Sequence, residues 1–123
     1  MKIALAIILA AHGFAHLVGF VVPWRISQME EMPYKTTVLN GRINLGDTGI
    51  RVYGLFWLVL AIAFLLLAIT IFFYPHWWQT VSSFVAIASL LLCIISWPDA
   101  RIGIFLNILI IILIHYAFRM AWI

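Results

Sequence analysis

VYGLFWLVLAIAFLLLAITIFFY, residues 52–74, has no charged side chain anywhere along its length and decides the fold. As a helix, about 20 such residues cross a hydrocarbon core roughly 30 Å thick. Three further uncharged runs accompany it: Ile3–Val22, Trp77–Trp97 and Ile102–Phe118. Pro23, Pro75 and Pro98 stand at the breaks between runs, where a residue without an N–H ends a helix at least expense. Trp24, Tyr74, Trp77, Trp78, Trp97 and Trp122 gather at the same breaks, as amphipathic rings do where bilayer meets water.

Composition excludes a soluble body. The chain has 123 residues, 67% of them hydrophobic and 9% charged. A soluble domain needs roughly a quarter of its residues charged to cover its surface. The net charge of +3 does not point to nucleic acid, because no basic patch carries base-stacking aromatics. The basic residues fall in loops and at helix ends, positions that meet anionic headgroups and set orientation. The lipid bilayer is therefore the first partner. Cys93 is the single cysteine, so no intramolecular disulfide forms.

The predicted fold is all-α, an up-down bundle of four transmembrane helices in one domain, residues 1–123. The helices cover about 3–22, 51–74, 77–97 and 100–121, and a long first loop covers 23–50. Short connections at Pro75-His76 and Pro98–Arg101 force consecutive helices to run antiparallel. Asp99 is expected to cap the fourth helix, and Asp47 or Thr48 the second. Met1-Lys2 opens like a signal peptide, but the apolar stretch runs past the usual length without a small-x-small cleavage site, so it reads as a retained helix. Five basic residues (Arg25, Lys35, Arg42, Arg51, Arg101) fall on one side and two (Lys2, Arg119) on the other. The positive-inside rule then places the long loop in the cytoplasm and both termini outside.

Within the loop, Thr36–Leu39 and Arg42–Leu45 flank Asn40-Gly41. Asn-Gly suits the two positive φ angles of a type I′ turn, and the flanks are rich in β-formers, so a short β-hairpin is expected. An isolated hairpin is marginal in water. It must lean on the bundle end or the headgroup layer, through Trp24, Ile26, Met29 and Tyr34.

Ionisable residues inside a membrane are expensive and mark function by default. His12 and His16, four apart, share one face of the first helix. On the fourth, Gly103, Asn107, Ile111, His115 and Arg119 recur every four residues. At about 1.5 Å per residue from the cytoplasmic end, His16 and Asn107 lie about 8–9 Å deep, His12 about 15 Å and His115 about 20 Å. If the first and fourth helices are neighbours, His12, His16, Asn107 and His115 share one polar pocket. Four readings stay open. The four residues are interhelical glue; or they bind a small amphipathic ligand or lipid; or they relay protons to a quinone-like or other redox partner; or His12 and His16 hold a metal or haem in a redox module, neutral imidazole being the commonest ligand for such metals. His-x-x-x-His without the glutamate of a zincin motif has no specific chemistry attached, and no cofactor is named by it.

On the third helix, Ser82, Ala86, Ser89, Cys93 and Ser96 step alternately by four and three, a seam of small residues for close helix packing. Ala11, Ala15 and Gly19 form a similar ridge, suited to packing within the bundle, to a homo-oligomer or to a membrane-protein partner. Arg25, Arg42, Arg51 and Arg101 converge on the cytoplasmic end. They are expected either to pair locally, Arg51 with Asp47 and Arg101 with Asp99, and to bind lipid phosphates, or to form an anion pocket roofed by the hairpin, since arginine forks suit phosphate or carboxylate. No phosphate-cradling glycine loop, serine triad or catalytic carboxylate pair is present; Glu30 and Glu31 fall in the loop. The residues favour binding or structure over catalysis.

Three motifs, His12-Gly13-x-x-His16-Leu17-x-Gly19-Phe20, Gly54-Leu55-x-Trp57-Leu58 and Trp97-x-Asp99-Ala100-x-x-Gly103-x-x-x-Asn107, together resemble those of a group of uncharacterised small bacterial four-helix integral membrane proteins, some labelled transporter permeases. The layout is also similar to that of DoxX-like proteins. The resemblance covers most of the chain and implies four helices in a bacterial inner (plasma) membrane; it implies no activity. The leading expectation is a ligand- or lipid-binding membrane protein, and the alternative is a structural or accessory subunit of an oligomer or larger complex.

Overall fold

In the computed structural model, which describes residues 1–30 and 32–123, the helices are α1 (Lys2–His16), a one-turn continuation α2 (Val18–Val21), α3 (Gly46–Thr70), α4 (Trp78–Ile95) and α5 (Arg101–Arg119). Glu31, read above as a loop acid, lies outside the described residues. α1 with α2, α3, α4 and α5 give four helices long and apolar enough to cross a membrane. This is a multi-pass membrane protein with the expected all-α four-helix bundle. α1 packs extensively on α3 and α4 on α5, α3 touches α4, and α1 meets α5 only sparsely. Large apolar side chains cover the outside: Phe105 is 70% exposed and Phe84 69%. In water that surface would be prohibitive at about 25 cal/mol per Å², whereas lipid solvates it.

The interior divides into two apolar clusters. The larger joins Leu5, Leu9, Phe64, Leu67, Ile71, Trp78, Ile110 and Ile114. The smaller, nearer the long loop, is built on Trp57, Leu92 and Cys93. Trp78 is therefore core rather than part of the interfacial belt: it is fully buried and its indole Nε1–H donates to the Leu67 carbonyl at 3.1 Å. All five members of the Ser82-to-Ser96 seam are buried. The other small-residue ridge splits, with Ala11 and Ala15 exposed and Gly19 buried. A Cβ at Gly19 would overlap the Trp57 ring, so only glycine lets α2 approach α3 this closely.

The hairpin is present as β1 (Thr37–Val38) and β2 (Ile43–Asn44), antiparallel, with Thr37 opposite Asn44 and Val38 opposite Ile43. Asn40 (φ 57°) and Gly41 (φ 82°) take the two positive angles of the turn, and Arg42 N–H donates to Leu39 O across it. It leans on the bundle end, but through backbone bonds rather than the side chains expected to carry the contact. Backbone N–H groups of Leu39 and Asn40 donate to the carbonyls of Ile95 (2.8 Å) and Trp97 (3.1 Å). The hairpin tip thus satisfies carbonyls that the end of α4 leaves without helical partners. Trp24 instead donates its indole N–H to Arg51 O.

α3 begins at Gly46, five residues before the expected start, because charged residues sit inside its first two turns rather than before them. Gly46 takes φ 72° and its N–H donates to Asn44 Oδ1, turning β2 directly into the helix. Neither expected cap forms: α3 and α5 start without side-chain cap bonds. Asp99 is drawn to Lys35 at 2.6 Å, and Asp47 to Arg25 at 3.2 Å.

Candidate functional site

His12 and His16 lie one turn apart on the buried face of α1, between the two apolar clusters. His12 Nε2 meets Asn107 Oδ1 of α5 at 3.1 Å. His16 Nδ1 meets its own helix at the His12 carbonyl (2.8 Å), and His16 Nε2 meets Ser89 Oγ of α4 at 2.6 Å. Asn107 Nδ2 meets the Gly103 carbonyl at 2.8 Å and Cys93 Sγ at 3.5 Å. Phe64 and Trp57 close over the rings: Phe64 stands edge-on to His12 at 4.9 Å between centroids, and Trp57 lies 5.1 Å from His16. These contacts bridge α1, α4 and α5 where direct packing of α1 on α5 is thin.

The direction of every bond follows from two groups that can only accept. The Gly103 carbonyl requires Asn107 to present its NH₂ there, which turns Oδ1 toward His12. His12 must then donate from Nε2–H, and its neutral ring keeps Nδ1 unprotonated. The His12 carbonyl likewise requires His16 to donate from Nδ1–H, so His16 Nε2 accepts from the Ser89 hydroxyl. Neutral rings are what an apolar interior favours, since a buried charge without a counter-ion is costly. Two histidines on one helix face therefore hold opposite tautomers.

Beside the network, where α1 and α5 part, lies a cleft of about 220 Å³. His12, His16 and Trp57 contribute to its inner wall; Ala15, Ile102 and Leu106 line it further out. Gly103 lets α5 approach α4 closely, as a Cβ there would fall 2.6 Å from Cys93 Sγ. Trp57 is 5% exposed, and its Nε1 is the one buried side-chain polar atom among the described residues without a hydrogen-bond partner. The nearby Tyr53 hydroxyl is engaged by Leu92 O and Ser96 Oγ.

The structure thus brings His12, His16 and Asn107 together and leaves His115 out. His115 is exposed, bonded to Ile111 O of its own helix at 2.9 Å, and lines a surface groove with Gln79, Thr80 and Ser83. The reason is helical drift. A four-residue step overshoots the helix by about 40°, so two steps from Asn107 carry His115 about 80° away from the buried face. That face follows Asn107, Ile110, Ile114 and Ala117 instead. The pairing is also offset by one turn from equal depth, with His12 rather than His16 reaching Asn107.

Ser89, Cys93 and Trp57 belong to the site and were not singled out for it. The signal for Ser89 and Cys93 was their place in the small-residue seam, and for Trp57 its place in the Gly54-Leu55-x-Trp57 motif. Both nitrogens of His16 and one of His12 are engaged in hydrogen bonds. No group of three His, Cys, Asp or Glu side chains among the described residues is arranged to hold a metal ion.

The four arginines gather at the hairpin end but not as one pocket. Arg25 Nη2 donates to Tyr34 Oη (3.0 Å) and Asp47 Oδ1 (3.2 Å), and Tyr34 Oη–H donates to Asp47 at 2.7 Å. Tyr34 first, then Asp47, raises the guanidinium pKa above its ordinary value. Arg51 stacks over Trp24 with its Cζ 5.9 Å from the ring centroid. Arg42, Arg51 and Arg101 are exposed and form no ion pair among the described residues. The expected pairs Arg51–Asp47 and Arg101–Asp99 are replaced by Arg25–Asp47 and Lys35–Asp99, because the folded loop brings Arg25 and Lys35 closer to the acids.

No family model matches the chain, and no match was found among curated proteins or among solved structures.

Proposed function

We propose that this is a small bacterial inner-membrane protein that binds a small amphipathic ligand or lipid in the cleft between α1 and α5. One observation carries the reading: a cleft of about 220 Å³, with His12, His16 and Trp57 in its wall, opens beside a buried histidine network. Interhelical glue alone accounts for the bonds among His12, His16, Ser89 and Asn107, but not for space left beside them in a membrane interior. The motifs around His12, Trp57 and Asn107, which suggested the bacterial four-helix group, all contribute to this one region. The excess of basic residues at the hairpin end supports a cytoplasmic loop with both termini outside, where exposed Arg42, Arg51 and Arg101 meet anionic headgroups.

The test is native mass spectrometry of protein purified in mild detergent, wild type beside Ala15→Phe, which fills the cleft without touching a network bond. The expected result is a discrete small-molecule adduct on the wild type that Ala15→Phe lacks. Bulk lipid alone on both proteins overturns the reading. The second reading, an accessory subunit or homo-oligomer, is supported by exposed Ala11 on the outer face of α1. It expects a defined oligomer that Ala11→Leu dissociates, and a monomer indifferent to that change contradicts it.

A further inference from the structure

Beneath the hairpin lies a second cavity, of about 30 Å³, with Thr37, Asn40, Tyr53 and Ser96 in its wall. Met32 and Asp99 line both this cavity and the cleft between α1 and α5, so they stand where the two meet. On its other side the cavity shares Val22 and Pro33 with an open groove of loop residues that includes Arg25, Gln28 and Tyr34. Three spaces thus follow one another from the loop surface to the cleft. The middle one is the narrowest, with room for about two waters.

The partition between cavity and cleft is made by the loop. Met32 packs against Trp57, Leu92 and Cys93, a loop side chain seated on the core of the bundle. Farther along, Lys35 meets Asp99 at 2.6 Å, with the Lys35 side chain 39% exposed and that of Asp99 14%. The backbone bonds nearest this stretch lie to either side of it: Ile26 and Ser27 N–H donate to Val21 O, and Leu45 N–H donates to Thr36 O. Met32 and Lys35 are held by side-chain contacts, which a local opening undoes without breaking a helix or the hairpin. Neither charge of the pair is fully buried, so its release leaves both within reach of water.

Resting on the reading of the cleft as a ligand site, we infer that the cleft has a second entrance beneath the hairpin, plugged by Met32 and latched by the Lys35–Asp99 pair. With the loop seated, an occupant exchanges with lipid alone. With the loop lifted, the polar end of an amphiphile reaches the loop-side water while its tail stays between α1 and α5. The walls are graded to suit such a molecule. Ile102 and Leu106 line the lipid side, whereas Lys35, Thr37, Asn40 and Asp99 line the hairpin side. Opening therefore passes a membrane amphiphile to or from the loop side.

Cys93, the single cysteine, lines the cleft, packs against Met32 and is 1% exposed, so the native chain carries its own reporter. The experiment follows its reaction with a cationic methanethiosulfonate on the full chain in lipid nanodiscs. The reagent needs a thiolate and therefore water at the sulfur, and its charge bars it from the lipid-side mouth. Wild type is expected to react slowly. Met32→Ala should react about tenfold faster or more, because the plug is lost. Lys35→Met should react about fivefold faster, the reach of an ion pair of this exposure. Lys35→Arg keeps the latch, and Met29→Ala alters only the open groove, so both should match wild type. Rates in Met32→Ala and Lys35→Met no faster than wild type overturn the entrance and leave the cleft standing. Equal acceleration in Lys35→Arg or Met29→Ala also overturns it, since general loosening then explains the labelling. Native mass spectrometry of the same samples separates the two readings: a wild type without an adduct sinks the ligand site, and the entrance with it, whatever the labelling shows.

Discussion

The two polar regions of this protein obey different rules. Between α1, α4 and α5, the side chains of His12, His16, Ser89 and Asn107 are buried and joined by bonds whose directions are fixed by the Gly103 and His12 carbonyls. At the hairpin end, Arg25 and Asp47 pair with side chains 59% and 71% exposed, and Arg42, Arg51 and Arg101 stand free of ion pairs among the described residues. Where water and headgroups compete for every bond, a pair contributes little. Inside, each lost partner leaves a group with nothing to turn to. Bond number matters less than what replaces the bond when it breaks.

Graded substitutions test that contrast, with unfolding in mixed micelles as the readout. Gly19→Val should have the largest effect, about 3 kcal/mol, because Trp57 must leave its seat against α2. Little change there would mean α2 and α3 separate freely. Asn107→Leu follows at about 2 kcal/mol, since it strands the His12 Nε2–H. Ser89→Ala removes one donor from His16 Nε2 and should cost about 1 kcal/mol. Lys35→Met, at the part-exposed pair with Asp99, should stay below about 1 kcal/mol and weaken further in salt. Asp47→Asn should have the smallest effect, about 0.5 kcal/mol or less, since only an exposed pair and a screened helix-dipole contact are lost. If Asp47→Asn destabilised as much as Asn107→Leu, the distinction between the two regions would fail.

The same contrast explains what was legible in the sequence. Features set by local period were readable: the four apolar runs, the buried face from Ser82 to Ser96, and the Asn40-Gly41 turn. Features set by the phase between elements were not. His115 shares a four-residue spacing with Asn107, yet drift carries it off the buried face before the helix ends. His16 and Ser89 are 73 positions apart, and only the relative heights of α1 and α4 bring them together. The start of α3 is not legible from charge either: the uncharged run begins after Arg51, while a folded loop lets Asp47 sit within the first turn, where the helix dipole favours it. Trp78 looked like a belt residue by its place beside Pro75, but its indole N–H finds the Leu67 carbonyl and the ring goes inside.

The central claim is that the buried network fixes opposite tautomers on His12 and His16. Nitrogen NMR of histidine-labelled protein in micelles reads this directly, with His12→Gln and His16→Gln assigning the signals. The account predicts neutral rings at neutral pH, with the proton on Nε2 of His12 and on Nδ1 of His16. The same tautomer at both positions, or a charged ring at either, would contradict it.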